Sequence, residues 1–381
     1  MVTALQVLGQ TALGFNVSIA QVLITVAAGG MIELVYICGR RGRLVWPASG
    51  LLAGNGVAFI LRAGGTRHGD WWSLNGIGWF LMAVVLALGS KYLLRSGGRH
   101  VFNPANFGLV LCLLLVGSPS VYPQYLWWGP MGPAVGAAWV VILLGAAWVL
   151  RPLRMLPMAG AFLLTMGVAV ALLAASGRCF DAVWRSDSVC GLNYWIGIAL
   201  SPELAVFALF MMSDPRTAPP GQRGRLAFGV ATAAVAAILL AQQPTEYGVK
   251  VAILAALLVA LMVVRVVDSP RAAGVSVLVG ALVAAISAVL VVGLASNQEL
   301  VRLERGGGGD LFGGHGRGQG MRRPAASEPA VEQLRGAMAW PGADRAGPRI
   351  ADAVVEVEIS DNPARDHPGP PEHPSRRFLS T

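Results

Sequence analysis

Two loops in this sequence place a polar side chain directly before a proline at the end of a predicted apolar helix. The first loop contains Asn103-Pro104 and the second contains Asp214-Pro215. Asn and Asp side chains accept hydrogen bonds from the free N–H groups at a helix N-terminus, where proline is also tolerated. Both loops are therefore expected at the lip of a helix, and a role as caps and turns is sufficient to explain them.

The second loop also has the composition of a phosphate site. Asp214 and Thr217 are followed by arginines and by the flexible Gly221 at a predicted helix N-terminus, a favourable place for an anion. Arginines in a loop at the inner membrane face are equally well explained by membrane topology. The predicted cofactor-binding residues of the two loops are Asp214, Thr217, Arg223, Arg225 and Asn103.

Two carboxylates, Glu33 and Glu203, lie inside apolar stretches, where ionisable groups are costly and often functional. Glu33 is close enough to the end of its stretch to reach the surface or to pair with Arg40. Glu203 follows Pro202 and is alternatively a first-turn carboxylate of a helix that begins at Ser201. No metal site is predicted, because the five histidines are scattered, and no nucleophile elbow, Walker loop or Rossmann fingerprint occurs.

The elements that must position these groups are apolar helices. Over 381 residues the composition is 55% hydrophobic and only 13% charged, with a mean hydropathy of +0.61, which excludes a cytosolic enzyme. The fold class is an all-α integral membrane protein with about ten transmembrane helices, one or two of them broken or re-entrant. The predicted spans are Phe15–Cys38, Leu44–Leu61, Leu74–Leu94, Pro104–Gly117, Gly132–Leu150, Leu156–Ala175, Trp195–Met212, Leu226–Leu240, Tyr247–Val267 and Ala272–Leu294. The first is not a cleaved signal, because no basic region precedes it.

The basic residues predict the orientation of these spans. With the N-terminus outside, thirteen Lys and Arg residues fall in inner loops and five in outer loops. The positive-inside rule then places both termini outside a cell membrane. The net charge of +9 is therefore mostly topological, and no nucleic-acid partner is expected. The direct partner is the lipid bilayer.

Cysteines and tryptophans fit the same orientation. Cys179 and Cys190 share one outer loop, where they form either a disulfide or two free thiols. Six tryptophans near predicted helix ends suit an interfacial belt: Trp71, Trp72, Trp79, Trp127, Trp128 and Trp195. The domain boundary is expected after residue 295, because residues 296–381 are rich in Gly, Pro and charge and have the composition of a disordered tail.

The two loops resemble those of the RnfD/NqrB family, membrane subunits of the Rnf and Na⁺-translocating NADH:quinone oxidoreductase complexes. The longest match runs from Asp214 to Gly229 and includes Arg223-Gly224-Arg225-Leu226. A weaker likeness extends over roughly residues 17–267. The Asp-Pro-Arg-Thr-Ala-Pro version of the loop looks closest to the stand-alone RnfD-like proteins of enediyne biosynthetic clusters. The resemblance implies flavin-dependent membrane electron transport, with other membrane or biosynthetic subunits as partners.

One departure from the family pattern bears on the cofactor. Family members carry FMN esterified to a threonine of the second loop, and the matching position here is Pro220, which has no hydroxyl group. Covalent FMN is therefore not expected, and FMN or riboflavin would be held without a covalent bond. The alternative functions are a membrane transporter or exporter, and a membrane scaffold for a biosynthetic pathway. Whether the protein is an enzyme stays open.

Overall fold

The described part of the chain consists mainly of apolar α-helices with three short pairs of antiparallel strands. The computed structural model describes residues 1–96, 98–129, 131–183 and 187–268. The helices are α1 (Val2–Thr11), α2 (Ile19–Arg41), α3 (Ala48–Ile60), α4 (Ile77–Leu93), α5 (Pro104–Val116), α6 (Pro133–Leu153), α7 (Leu156–Ala175), α8 (Gly191–Ala199), α9 (Pro202–Val206), α10 (Gln222–Leu240) and α11 (Glu246–Asp268). A π-helical turn (Phe207–Met211) continues α9. The strand pairs are β1 (Leu61–Ala63) with β4 (Val121–Pro123), β2 (Arg95–Ser96) with β3 (Arg99–His100), and β5 (Cys179–Phe180) with β6 (Val189–Cys190).

Six helical segments in this part are long and apolar enough to cross a membrane. They are α2, α6, α7, the run from α8 through the π-helical turn, α10 and α11. Helices α3, α4 and α5 are apolar but shorter. Nine of the ten predicted spans thus coincide with helices, although three of these are short, and the helix α1 was not predicted. The tenth predicted span and the tail lie outside the described residues.

Local sequence sets where several of these helices begin. The Ser18 side chain accepts from Gln21 N, and the Gln21 side chain accepts from Ser18 N, which is a complete capping box at the start of α2. Asn103 caps α5 in front of Pro104, and Ser201 caps α9 in front of Pro202. The proline-marked segments at residues 103 and 201 are therefore helix starts.

Two of the short helices give way to extended chain inside the protein. Helices α3 and α5 have 13 residues each, about 20 Å at 1.5 Å per residue, which is less than a ~30 Å hydrocarbon layer. Strands β1 and β4 follow them and pair with each other. Gln124 N also donates to Ile60 O at 2.6 Å, and Gly64 N donates to Ser120 O at 2.9 Å. The backbone groups released by the broken helices are thus hydrogen-bonded, as an apolar surrounding requires.

Helices α2 and α3 pack closely through glycines. A Cβ atom on Gly54 would lie 2.6 Å from Thr25 O, and a Cβ on Gly29 or Gly50 would overlap the backbone carbonyl of the other. Small residues allow helix backbones to approach in this way. The close approach brings the side chain of Glu33 on α2 to the first turn of α3.

The side-chain contacts define two ends of the helical assembly. The basic end, where α2, α4 and the π-helical turn finish, carries Arg40, Lys91, Arg99 and Arg216. The opposite end, where α3 and α7 finish and α11 begins, carries Arg62, Cys179 and Glu246.

Candidate functional site

A cavity of about 530 Å³ opens at the basic end. Its wall is formed by the last turns of α2 and α4, by the β2–β3 hairpin, and by the chain that follows the π-helical turn. The basic side chains that line it are Arg40, Lys91, Arg95, Arg99, His100 and Arg216. The volume lies within the ~300–1,000 Å³ typical of small-molecule sites. A cavity with this lining is suited to an anionic ligand.

The floor of the cavity is a hydrogen-bonded group centred on Glu33. Its carboxylate accepts from Lys91 Nζ and from Gly50 N, and Tyr92 donates its hydroxyl hydrogen to it at 3.2 Å. Lys91 also donates to Ser49 Oγ at 2.7 Å. Glu33 thus pairs with Lys91 and not with Arg40, which was one of the two alternatives considered from sequence, because the close α2–α3 packing directs the carboxylate toward α3 and α4.

Two tyrosines add an aromatic surface beside this group. The rings of Tyr36 and Tyr92 stack with centroids 3.8 Å apart and an interplanar angle of 22°. Lys91 Nζ lies 4.9 Å from the Tyr92 ring centroid, and the Arg40 guanidinium lies 5.9 Å from that of Tyr36. Cations over aromatic faces are held in place by the ring quadrupole. The tyrosine pair thus links the floor to the cationic rim.

The rim consists of the exposed arginines Arg40, Arg95, Arg99 and Arg216. None of them forms a salt bridge with a carboxylate of the described residues. Arg95 donates to Gly98 O at 2.6 Å, which fixes its side chain on its own hairpin. Guanidinium groups bind phosphate and carboxylate with charge-assisted hydrogen bonds. The rim therefore has cationic capacity that the described part of the protein does not neutralise.

The second loop reaches this cavity through Pro215 and Arg216, not through the residues that the sequence favoured. Asp214 Oδ1 accepts from Arg216 N at 2.9 Å, and its Oδ2 lies 3.4 Å from His100 Nε2. Thr217 is buried and donates to Asp214 O at 3.3 Å. Asp214 and Thr217 thus shape the turn and do not line the cavity.

The other three predicted residues also lie away from the cavity wall. Arg225 Nη1 donates to Leu153 O at 3.0 Å and to Arg154 O at 3.2 Å, so it caps the end of α6. Arg223 is exposed. Asn103 Nδ2 donates to Met211 O at 3.1 Å, which joins the two proline-marked loops. The two loops therefore meet in the structure. Asn103 donates to Met211 O, and His100 lies beside Asp214.

Glu203 is a first-turn carboxylate of α9, the second of the two placements considered from sequence. It is buried, and its Oε2 accepts from the indole nitrogen of Trp128 at 3.3 Å. Trp127 and Trp128 are both buried, so their assignment to an interfacial belt is wrong. The loop cysteines Cys179 and Cys190 form a disulfide that ties β5 to β6.

Apart from Glu33, sequence reasoning missed the residues that make the floor of the cavity. Lys91, Tyr36 and Tyr92 stand at the ends of apolar helices, where they look like topology signals and interfacial anchors. Only for Tyr36 was a signal available, because Glu33, Tyr36 and Arg40 lie three to four residues apart on one face of α2. Among the described residues no cluster of three or more His, Cys, Asp or Glu side chains could hold a metal ion.

Comparisons with known proteins add no relative to this picture. The chain matches no protein-family model, and none of the curated proteins compared with it matches. The cavity and the two loops are therefore the features that bear on function.

Proposed function

We propose that this multi-pass membrane protein binds FMN without a covalent bond in the cavity at the basic end and serves flavin-dependent membrane electron transport. The observation that carries the proposal is the ring of four arginines without carboxylate partners among the described residues, around a cavity of about 530 Å³. The loop resemblance to the RnfD/NqrB family supports the choice of a flavin. It also supports a link to enediyne biosynthesis, which rests on the sequence of the Asp214 loop alone.

The residues present fit such a ligand. Arg99 and Arg216 stand on two separate segments of the rim and would hold the phosphate between them. Tyr36 and Tyr92 offer an aromatic wall for a flat ring system. Pro220 at the family's acceptor position excludes an ester bond, so the affinity must come from these contacts. Bound FMN would supply the redox chemistry, while the chain binds and orients it.

Two observations support a cytoplasmic position for the cavity. The Lys and Arg residues of the described part are concentrated at the basic end, as the positive-inside rule requires of the inner face. The Cys179–Cys190 disulfide lies at the opposite end, and disulfides persist in oxidising compartments outside the cytoplasm. With the N-terminus outside, α2 then runs from the outer to the inner face. An outer C-terminus also depends on the tenth predicted span.

Binding to the purified protein tests the proposal. In nanodiscs of zwitterionic lipid we expect FMN release on denaturation, or FMN binding measured by quenching of its fluorescence. Riboflavin, which lacks the phosphate, should bind at least about tenfold more weakly, because a hydrogen bond between charged groups is worth about 1.5–3 kcal/mol. Inorganic phosphate should compete with FMN.

A matched pair of variants locates the site. Arg216→Gln should weaken FMN binding at least about tenfold, whereas Arg223→Gln, an exposed arginine of the same loop that does not line the cavity, should leave it unchanged. Equal affinities for FMN and riboflavin, or equal losses in both variants, would contradict phosphate recognition at the rim. A colourless protein that does not bind added FMN would rule out the redox function.

Transport is the second candidate, favoured by the broken helices. Helices α3 and α5 stop at the β1–β4 pair, and the span that begins as α8 breaks between Ala199 and Pro202. Discontinuous helices with buried charges are typical of transporters. Efflux of a natural product by cells that carry the protein, in the absence of any flavin binding, would favour this function over the first.

A further inference from the structure

A second group of charges is buried at the opposite end, remote from the cavity. Arg62 of β1, Glu203 of α9, and Glu246 and Lys250 of α11 are 6%, 7%, 3% and 4% exposed. Glu203 Oε1 lies 3.7 Å from Lys250 Nζ, and Glu246 and Arg62 are close enough to Lys250 to interact with it electrostatically. Only Glu203 was singled out from the sequence. We call these four residues the opposite-end cluster.

The two carboxylates of the cluster are served by neutral donors. Glu203 Oε2 accepts from Trp128 Nε1 at 3.3 Å, and Glu246 Oε1 accepts from Leu126 N at 2.7 Å. Each carboxylate also lies in the first turn of a helix, where the free N–H groups favour negative charge. Each carboxylate therefore has one hydrogen bond that does not come from the two cations.

The two cations, in contrast, lack hydrogen-bond acceptors. Lys250 Nζ lies 3.7 Å from Glu203 Oε1, which is an ion pair but too long for a hydrogen bond. It has no hydrogen-bond partner among the described residues, and the same holds for Nε and Nη1 of Arg62. The Arg62 guanidinium rests on the Tyr125 ring, 4.0 Å from its centroid, which provides no lone pair. Buried charged donors without acceptors are strongly unfavourable, so these N–H groups require a further acceptor.

We propose that the opposite-end cluster is a binding site for a small inorganic anion of the size of chloride, held by Arg62 and Lys250. A single anion would accept from both cations. One oxygen of each carboxylate has a neutral donor, and the N–H groups without an acceptor among the described residues belong to the two cations, so a negative ligand suits the site better than a neutral one. The proposal is independent of the ligand in the basic-end cavity.

Chloride binding to the purified full-length protein tests this site. In zwitterionic nanodiscs, chloride should broaden the chloride NMR line and raise the Tm relative to gluconate at equal ionic strength. A rise of roughly 2–4 °C corresponds to modest saturation of one site. Bromide should compete with chloride, because it has the same charge and nearly the same size.

Variants then separate the cluster from the rest of the surface. Lys250→Gln and Arg62→Gln should each weaken chloride binding at least about tenfold. Arg67→Gln, an exposed arginine in the loop next to β1, should leave it unchanged. If either cluster variant does not fold, the other variant and the wild-type titration still decide.

Two results would overturn the proposal of an anion site. A wild-type protein whose NMR line and Tm do not distinguish chloride from gluconate would overturn the proposal and leave water as the missing acceptor. Chloride binding that is equally strong in all three variants would place the ion elsewhere and also overturn it.

Discussion

Glu33 shows how much a single buried carboxylate organises at the basic end. It accepts from Lys91 of α4, from Gly50 in the first turn of α3, and from the Tyr92 hydroxyl. The interaction with Gly50 N also satisfies one of the free N–H groups at the start of α3, which has no side-chain cap of its own. One side chain thus fixes three helices and the floor of the cavity.

Removal of the Glu33 side chain should therefore lower the thermal stability of the protein. In Glu33→Ala the partly buried Lys91 ammonium loses its carboxylate, and a hydrogen bond between charged groups is worth about 1.5–3 kcal/mol. We expect the Tm, measured by light scattering or by fluorescence in detergent, to fall by several degrees. The double variant Glu33→Leu/Lys91→Met should recover most of the loss, because it leaves no unpaired charge. An unchanged Tm in Glu33→Ala would contradict the assigned role.

Lys91 is the residue whose role was hardest to foresee. It stands 58 positions from Glu33 in the chain, so nothing local indicates the pair. Its place near the end of an apolar helix is fully explained by the positive-inside rule. Arg216 was also not predicted as a cavity residue. In its loop the sequence indicated Asp214 and Thr217 as ligands, but these two residues form hydrogen bonds within the turn.

At the scale of the elements, the decisive feature is the contact between α2 and α3. The two helices approach through Gly29, Gly50 and Gly54, and a Cβ on any of these would overlap backbone of the partner helix. That approach is what brings Glu33 within reach of α3. The interface of these helices should therefore be intolerant of even one added methyl group.

A pair of glycine variants tests this intolerance. Gly54→Ala should lower the stability by about 1–3 kcal/mol, because the added Cβ would lie 2.6 Å from Thr25 O. Gly39→Ala, also on a helix of this pair but with no heavy atom within 4 Å of the added Cβ, should be neutral or stabilising by up to about 1 kcal/mol. Thermal unfolding followed by fluorescence measures both, and a tolerated Gly54→Ala would contradict the close packing.

The breaks in the helices are the other feature that belongs to this scale. The β1–β4 pair and the α8–α9 break place Arg62 and Glu203 inside the protein, although each lies beside a helix terminus. The sequence alone indicates two helix starts, at Pro104 and at Pro202. The extended course of residues 61–63 carries no such marker, because Leu-Arg-Ala is compatible with a continuing helix.

At the scale of the whole molecule, the distribution of charge between the two ends is the testable feature. The basic end carries the cavity, and the opposite end carries the disulfide and the second charged cluster. Both the positive-inside rule and the redox requirement of the disulfide give the same orientation. The basic end should therefore face the cytoplasm.

Labelling of single cysteines checks the orientation. In a Cys38→Ser background, a membrane-impermeant maleimide should label Arg67→Cys in intact cells and Arg223→Cys only after permeabilisation. Both positions are exposed, and Cys112 is buried, so reactivity reports the side of the membrane. Labelling of Arg223→Cys in intact cells would reverse the orientation and with it the cytoplasmic position of the cavity.

The sequence by itself determined those properties that depend on local composition and length. Apolar stretches with few charges predict helices that can cross a membrane, and a cap followed by proline predicts where α5 and α9 begin. Such signals are local, because a helix satisfies its own backbone and needs only neighbouring residues to start. They also indicated Glu33 and Glu203 as unusual, since a charge in an apolar stretch is visible without any structure.

Only the tertiary structure decided which charges meet. Glu33 binds Lys91 and not the nearby Arg40, and Glu203 lies beside Lys250 and Trp128. These partners are distant in the chain, and close glycine contacts and helix breaks bring them together. Periodicity and composition contain no information on either feature, because both depend on how separate helices pack. For the same reason the arginines that surround the cavity could be counted from the sequence but not assigned to one site.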